Sequence, residues 1–329
     1  MTGRHVAVVG AGRMGQGIAA ALAFGNVAVT VVDLRDRGAG AAAYLDGVRA
    51  SVRQALAHKV TLGLLAVEDL EDVAALVTVV GEVDALAPMA GADLVFEAVP
   101  EVAEVKRDTL TWIEAMVGDT VPIASTTSSF LVDELAGSLA APARFLNAHW
   151  LNPADLMPLV EVAPGTATSP GAVEATRDLL VAVGKVPVVC APSPGYIVPR
   201  LQALVMNEAA RMVAEGVASA ADIDTAVRIG FGSRFAVLGL LEFIDWGGCD
   251  TLFHASNYLR RELGERFAPA ALVETNITSG RRGISDGAGF YEFDPTTVAD
   301  YRAQRIADFA RVLDAVGRLA RHEEFSKAD

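Results

Sequence analysis

The chain has 329 residues, 52% of them hydrophobic, and its 27 basic and 41 acidic side chains give a formal charge of −14. That length allows a sizeable core and two domains, and the acidic balance argues against nucleic acid or an anionic membrane surface as a partner. Two cysteines, Cys190 and Cys249, supply neither a disulfide framework nor a metal site; with no secretory pattern in MTGRHVAVVG and no uninterrupted apolar run of membrane length, the expectation is a cytoplasmic protein without a metal.

In chain order, residues 5–9 form a short apolar run that reads as a buried strand, and GAGRMG follows at once, from Gly10 and Ala11 through Gly12, Arg13 and Met14 to Gly15. Gly10 permits the tight turn, Gly12 lets the backbone approach a pyrophosphate, and Gly15 lets the next helix pack on the strand. That helix, from about Met14 to Phe24, points its free N–H groups at the phosphates. A second strand from Ala28 to Val32 ends at Asp33, about 20 residues after the glycines, where an acid hydrogen-bonds an adenosine ribose. A carboxylate there repels the extra phosphate of NADP, so NAD is the expected cofactor; Arg35 stands close enough to relax that preference, although an arginine in a loop after a strand is more often solvated surface.

Further strands are predicted over 77–80, 94–98, 121–124, 145–148, 159–163 and 186–189, with helices near 102–116 and 170–183. Such alternation requires a doubly wound α/β domain of Rossmann type, a mostly parallel sheet covered on both faces. APSPG at 191–195 marks a boundary, dividing a dinucleotide-binding domain (1–192) from an all-α domain (193–329). In the second, helices are expected over 198–215, after Ser219, within an apolar stretch from Leu238, and from Thr297 to Leu319. Its expected tasks are closure over the substrate and formation of a homodimer.

NAHWLNPADLMPLVEV carries the chemistry: His149 precedes Glu161 by twelve residues. A neutral imidazole takes a hydroxyl proton, and a carboxylate stabilises the imidazolium that results. Glu161 is flanked by Leu159, Val160 and Val162, which predicts a buried strand where a lone carboxylate needs a partner. Ser128, in the turn STTSSF, either serves the site or caps the next helix. His5, His58, His254 and His322 lack such context and read as surface or satisfied core residues.

GAGRMG at 10–15, FEAVPE with Lys106 five residues past Glu101, STTSSF at 125–130, HWLNP at 149–153, PLVEV at 158–162, PGYIVPRL at 194–201 and GAGFYEF at 287–293 together resemble the L-3-hydroxyacyl-CoA dehydrogenases. PLVEVAPGTATSP and RLQALVMNEAARMVAEGVAS also resemble the lambda-crystallin, or L-gulonate 3-dehydrogenase, branch of that superfamily. The resemblance implies NAD-dependent interconversion of a 3-hydroxyacyl-CoA and a 3-oxoacyl-CoA, as in fatty acid metabolism. It gives His149 as general acid/base, Glu161 as the group that orients it, and Ser128 as a hydroxyl near the substrate oxygen and nicotinamide. Glu101, Lys106 and Asn152 are implied to line the nicotinamide ribose side.

Several positions depart from the family pattern. Pro199 replaces an asparagine, Thr126 replaces another, and Arg281 and Arg282 stand near a missing lysine. By analogy with the family, Arg49 and Arg53 are the candidate partners for coenzyme A phosphates, whereas Arg234, an arginine shared with the lambda-crystallin branch, suits either a free carboxylate or a surface ion pair. The alternatives are therefore a small free 3-hydroxy acid, an acyl group on a carrier protein, and a crystallin-like protein without turnover.

Overall fold

The computed structural model describes residues 3–321. Eight strands form one sheet: β1 (His5–Val9), β2 (Ala28–Asp33), β3 (Val77–Gly81), β4 (Leu94–Glu97), β5 (Ile123–Ser125), β6 (Phe145–Trp150), β7 (Leu159–Pro164) and β8 (Val186–Val189). Their order is β3-β2-β1-β4-β5-β6-β7-β8, and every neighbouring pair is parallel except β6 with β7. This is the doubly wound sheet expected from the sequence, with a helical region after it.

Both faces of β1 are apolar. Val6 and Val8 pack with Ile18 and Leu22 of the helix Arg13–Phe24, while Ala7 and Val9 face the layer containing Leu110 and Ile113 of the helix Ala103–Met116. A strand with period-two side chains and helices on both faces has no solvated side, which is why it reads as a continuous apolar run. β1 lies between β2 and β4, so the chain switches direction across the sheet there and opens a crevice at the carboxyl ends of β1 and β4.

The chain divides into two compact units, Met1–Met206 and Asn207–Asp329, and the division falls inside the helix Val198–Ala214, past the proline and glycine break. In the second unit Ser219 caps the helix Ala220–Ala226 by accepting from the Asp222 amide at 3.2 Å. Buried Asp245 accepts from the amides of Phe290 and Tyr291 at 3.0 and 2.8 Å and so fixes the GAGFYEF turn. Arg281 donates to Gly289 O at 2.7 Å, and Arg282 forks onto Asp286, so this arginine pair braces the same turn. The last helix runs Val298–Ala315 and stops short of Leu319. Gly317 takes a left-handed conformation (φ 65°), with its amide on Asp314 O and that of Arg318 on Leu313 O, the Schellman arrangement that ends a helix. No helix among the described residues is long and apolar enough to cross a membrane, and His322 lies outside the described residues.

Candidate active site

Antiparallel pairing of β6 with β7 sets His149 directly opposite Glu161. Side chains opposite one another leave the same face of the sheet, so the register alone brings imidazole and carboxylate together. Nδ1 of His149 donates to Glu161 Oε2 at 2.8 Å, with the histidine 6% and the glutamate 0% exposed. The other oxygen, Oε1, accepts from the amides of Ile197 and Val198 at 2.9 and 2.8 Å, at the start of the helix Val198–Ala214. Three donors, two of them amides at a helix N-terminus, therefore satisfy both oxygens of a buried carboxylate. With Nδ1–H committed to Glu161, the lone pair of the neutral ring sits on Nε2, which makes no hydrogen bond to a described residue. Pro199 lies in the first turn of that helix, where a missing N–H costs nothing.

Tyr196 stacks on His149 with centroids 5.1 Å apart and planes at 22°. Its hydroxyl accepts from Asn147 Nδ2 at 2.9 Å and donates to Thr127 O at 3.0 Å, tying the histidine to the turn that carries Ser128. Burial pushes the Tyr196 hydroxyl up to about 12, so it stays protonated and keeps donating. The residue follows Gly195 and is itself left-handed (φ 43°), a strained conformation for a bulky side chain.

The neighbouring turn is organised by two glutamates and one lysine. Lys106, 1% exposed, reaches Glu97 at 3.0 Å and Glu101 Oε2 at 3.3 Å. Glu97 also accepts from the Val99 amide at 2.9 Å and from the Ser125 hydroxyl. Glu101 Oε1 accepts from the amides of Ser128 and Ser129, both at 3.0 Å, and from the hydroxyls of Thr127 and Ser129. Burial alone would raise Glu101, but the hydroxyls of Ser129 and Thr127, with Lys106, hold it below the ordinary carboxylate value. The Ser128 side chain is exposed and makes no hydrogen bond to a described residue, and Asn152 is exposed on the segment after His149.

At the carboxyl end of β1 the glycines fit a dinucleotide. Gly10 has φ 118°, and a Cβ there would lie 2.5 Å from Ala98 O; a Cβ on Gly15 would lie 1.9 Å from Gly10 O. Space around Gly12 is open, and no side chain caps the helix Arg13–Phe24, so its first amides, including those of Arg13 and Met14, are free for phosphate. Asp33 is buried at the end of β2, within a crevice of about 360 Å³ lined in part by Leu34, Gly81 and Val83. Arg37, not Arg35, engages it, with Nε 2.9 Å from Oδ2 and Nη2 3.3 Å from Oδ1, while its guanidinium lies 3.7 Å from the Tyr44 ring centre. Arg35 is exposed.

The three arginines expected at the substrate have different surroundings. Arg49 bonds Asp46 and Val79 O, and Arg53 pairs with Glu71 in a surface recess that reaches Val77, the first residue of β3, at the opposite end of the strands from Gly10. Arg234 follows a π-helical turn, Val227–Gly232, is exposed, makes no salt bridge with a described residue, and lies 5.8 Å from the Phe243 ring centre. Of the other histidines, His5 bonds Thr30 Oγ1 at 2.9 Å, while His58 and His254 are exposed. Tyr196, Asn147, Glu97 and Arg37 had no assigned role in the sequence, although Tyr196, Asn147 and Glu97 stand inside quoted motifs.

Comparison with known proteins agrees with this construction. Residues 5–193 match the NAD binding domain of 3-hydroxyacyl-CoA dehydrogenase, and residues 195–293 match its C-terminal domain. The chain is 32% identical over 323 residues to a 5-formyl-3-hydroxy-2-methylpyridine 4-carboxylate 5-dehydrogenase of Mesorhizobium japonicum, covering 98% of this chain and 99% of that one. It is 31% identical to a probable 3-hydroxybutyryl-CoA dehydrogenase of Deinococcus radiodurans, covering 87% and 99%. The solved 3-hydroxyacyl-CoA dehydrogenase of Archaeoglobus fulgidus superposes with a TM-score of 0.76 at 29% identity, covering 96% and 99%. The cofactor is NAD, and the chain belongs to the 3-hydroxyacyl-CoA dehydrogenase family.

Proposed function

We propose that the chain interconverts a 3-hydroxyacyl-CoA and its 3-oxoacyl-CoA, with His149 as general acid/base. The observation that carries this reading is the buried His149–Glu161 pair with Nε2 left free. In the oxidation direction Nε2 accepts the hydroxyl proton, and Glu161 stabilises the imidazolium; in reduction the same nitrogen returns the proton to the carbonyl oxygen. NAD, when bound, supplies the hydride acceptor. Amides at Gly12, Arg13 and Met14 would hold its pyrophosphate and Asp33 its adenosine ribose, while Glu101, Lys106, Ser128 and Asn152 would serve the nicotinamide side.

A second reading is a hydroxy compound with a free carboxylate. Arg49 and Arg53, the candidate partners for coenzyme A phosphates, are already bound to acidic side chains, whereas Arg234 has no acidic partner among the described residues. The match to a dehydrogenase named for a pyridine carboxylate also runs over 98% of this chain, against 87% for the hydroxybutyryl-CoA relative. A panel of 3-hydroxyacyl-CoA esters and free hydroxy acids, followed by NADH absorbance, tests the choice. Turnover of esters alone supports the first reading and turnover of free acids alone the second. On the second, Arg234→Ala should reduce kcat/KM for the acid by about 30-fold or more, as expected when one partner of a charge pair is truncated. Homodimerisation through the helical region is the matching proposal for assembly: Val217 and Leu272 are 60% and 56% exposed there, and light scattering at twice the chain mass would support it.

A further inference from the structure

The segment that joins β6 to β7 carries Asn152 and links the two halves of the acid/base pair, and it is held from below by two buried lysines. Lys185, immediately before β8 and 7% exposed, donates to Ala154 O at 2.7 Å and Met157 O at 2.8 Å. Lys59, in the last turn of the helix Ala41–Thr61 and 3% exposed, donates to Asp155 O at 2.8 Å. Each ammonium also lies near an aromatic face, Lys185 5.3 Å from the Trp150 ring centre and Lys59 4.6 Å from that of Phe24. From the other side Gly17, on the helix that follows the glycine turn, faces the segment; a Cβ there would meet that of Ala154 at 3.2 Å.

Neither lysine forms a salt bridge with a described residue, although Asp155 lies near enough to act on both charges. Two ammonium groups buried side by side without a carboxylate pair are costly, and an apolar side chain of similar length would fill the space more cheaply. What the two charges achieve is local: they bind three backbone carbonyls between residues 154 and 157. The segment starts three residues after His149 and ends just before β7, so its freedom to shift is freedom for Asn152 to shift.

We infer that Lys59 and Lys185 are positioning residues that clamp segment 152–157 and thereby fix Asn152 beside the nicotinamide half of the cofactor. They touch neither cofactor nor substrate. The inference rests on the reading above, in which Asn152 serves the nicotinamide side.

NADH binding to the whole chain, measured by fluorescence titration beside KM and kcat, provides the test. Lys185→Met should weaken NADH and raise KM for NAD by about tenfold, the scale on which a displaced binding group acts. Lys185→Arg, which keeps two donors, should recover most of that loss. Val183→Ala, a packing change at a neighbouring buried position, should lower Tm with NADH affinity unchanged. If Lys185→Met does not fold, Lys59→Met, which removes a single bond, carries the same expectation. Parent-like NADH affinity in the folded lysine variants overturns the clamp, whatever their Tm. Failure of the parent itself to bind NADH overturns the cofactor reading as well, which separates the two failures.

Discussion

At the carboxyl edge of the sheet, two pairs of polar side chains are held by opposite means. His149 and Glu161 come from different strands, face each other through antiparallel register, and are buried with every oxygen of the carboxylate engaged. Asp33 and Arg37 are four residues apart in one stretch of chain, and the arginine rests on Tyr44 with part of its surface in solvent. The first pair moves only if β6 and β7 change register; the second is a side-chain rotamer. On the proposed reading, the geometry for proton transfer is thus set by strand pairing, whereas the choice between NAD and NADP involves one partly exposed side chain.

Breaking the rigid pair should have the largest effect. His149→Ala should lower kcat by about 10²- to 10⁴-fold with NADH affinity nearly unchanged, since it removes a proton acceptor and no cofactor contact. Turnover within a factor of ten of the parent would remove His149 from the mechanism. Glu161→Gln keeps the shape but not the charge, and should cost about 10- to 100-fold in kcat, as loss of an orienting partner does. It should also destabilise the chain by about 1.5–3 kcal/mol in urea unfolding, because the amides of Ile197 and Val198 lose a charged acceptor.

Changes at the adjustable pair should be smaller and should appear in cofactor choice. Asp33→Ala is expected to reduce kcat/KM for NAD by about tenfold, the worth of one charged hydrogen bond, with less effect on NADP. Arg37→Ala leaves the Asp33 charge uncompensated and should lower relative use of NADP by up to about fivefold, in the range of a partly exposed ion pair. A rise in NADP use would show that Arg37 opposes that phosphate.

The strands and glycine turn were legible because buried strands leave apolar runs and tight turns require glycine. All eight strands begin within two residues of their expected starts. His149 and Glu161 were legible as residues because each interrupts such a run, but their registry is a pairing between strands that periodicity does not encode. Tyr196, Asn147, Glu97 and the two clamping lysines stayed hidden for the same reason: each acts across tens of residues, and a lysine before β8 looks like solvated surface. Arg35 is exposed, as a solvated surface arginine would be, and the residue that sequence left unassigned is its neighbour Arg37. Two arginines stand in LRDR, and only the backbone turn after β2 decides that Arg37 reaches Asp33.

Lys185 gives the effect easiest to read against pH. Burial first, and then the charge of Lys59, lower its pKa from 10.5 to about 8. The folded chain therefore releases this proton near pH 8 while the unfolded chain keeps it until about 10.5, so unfolding takes up a proton over that window and stability from this group rises with pH. Urea unfolding between those limits should show the rise in the parent and a smaller one in Lys185→Met, where buried Lys59 still contributes; equal slopes would contradict the burial of a charged amine at Lys185.

The central claim is that Glu161 acts through His149, and a double-mutant cycle in kcat over His149→Ala and Glu161→Gln tests it most directly. The pair held in this geometry predicts that the double variant is no slower than His149→Ala alone, because an orienting carboxylate has nothing left to orient. Multiplying losses would mean that the two residues work independently and would contradict the account.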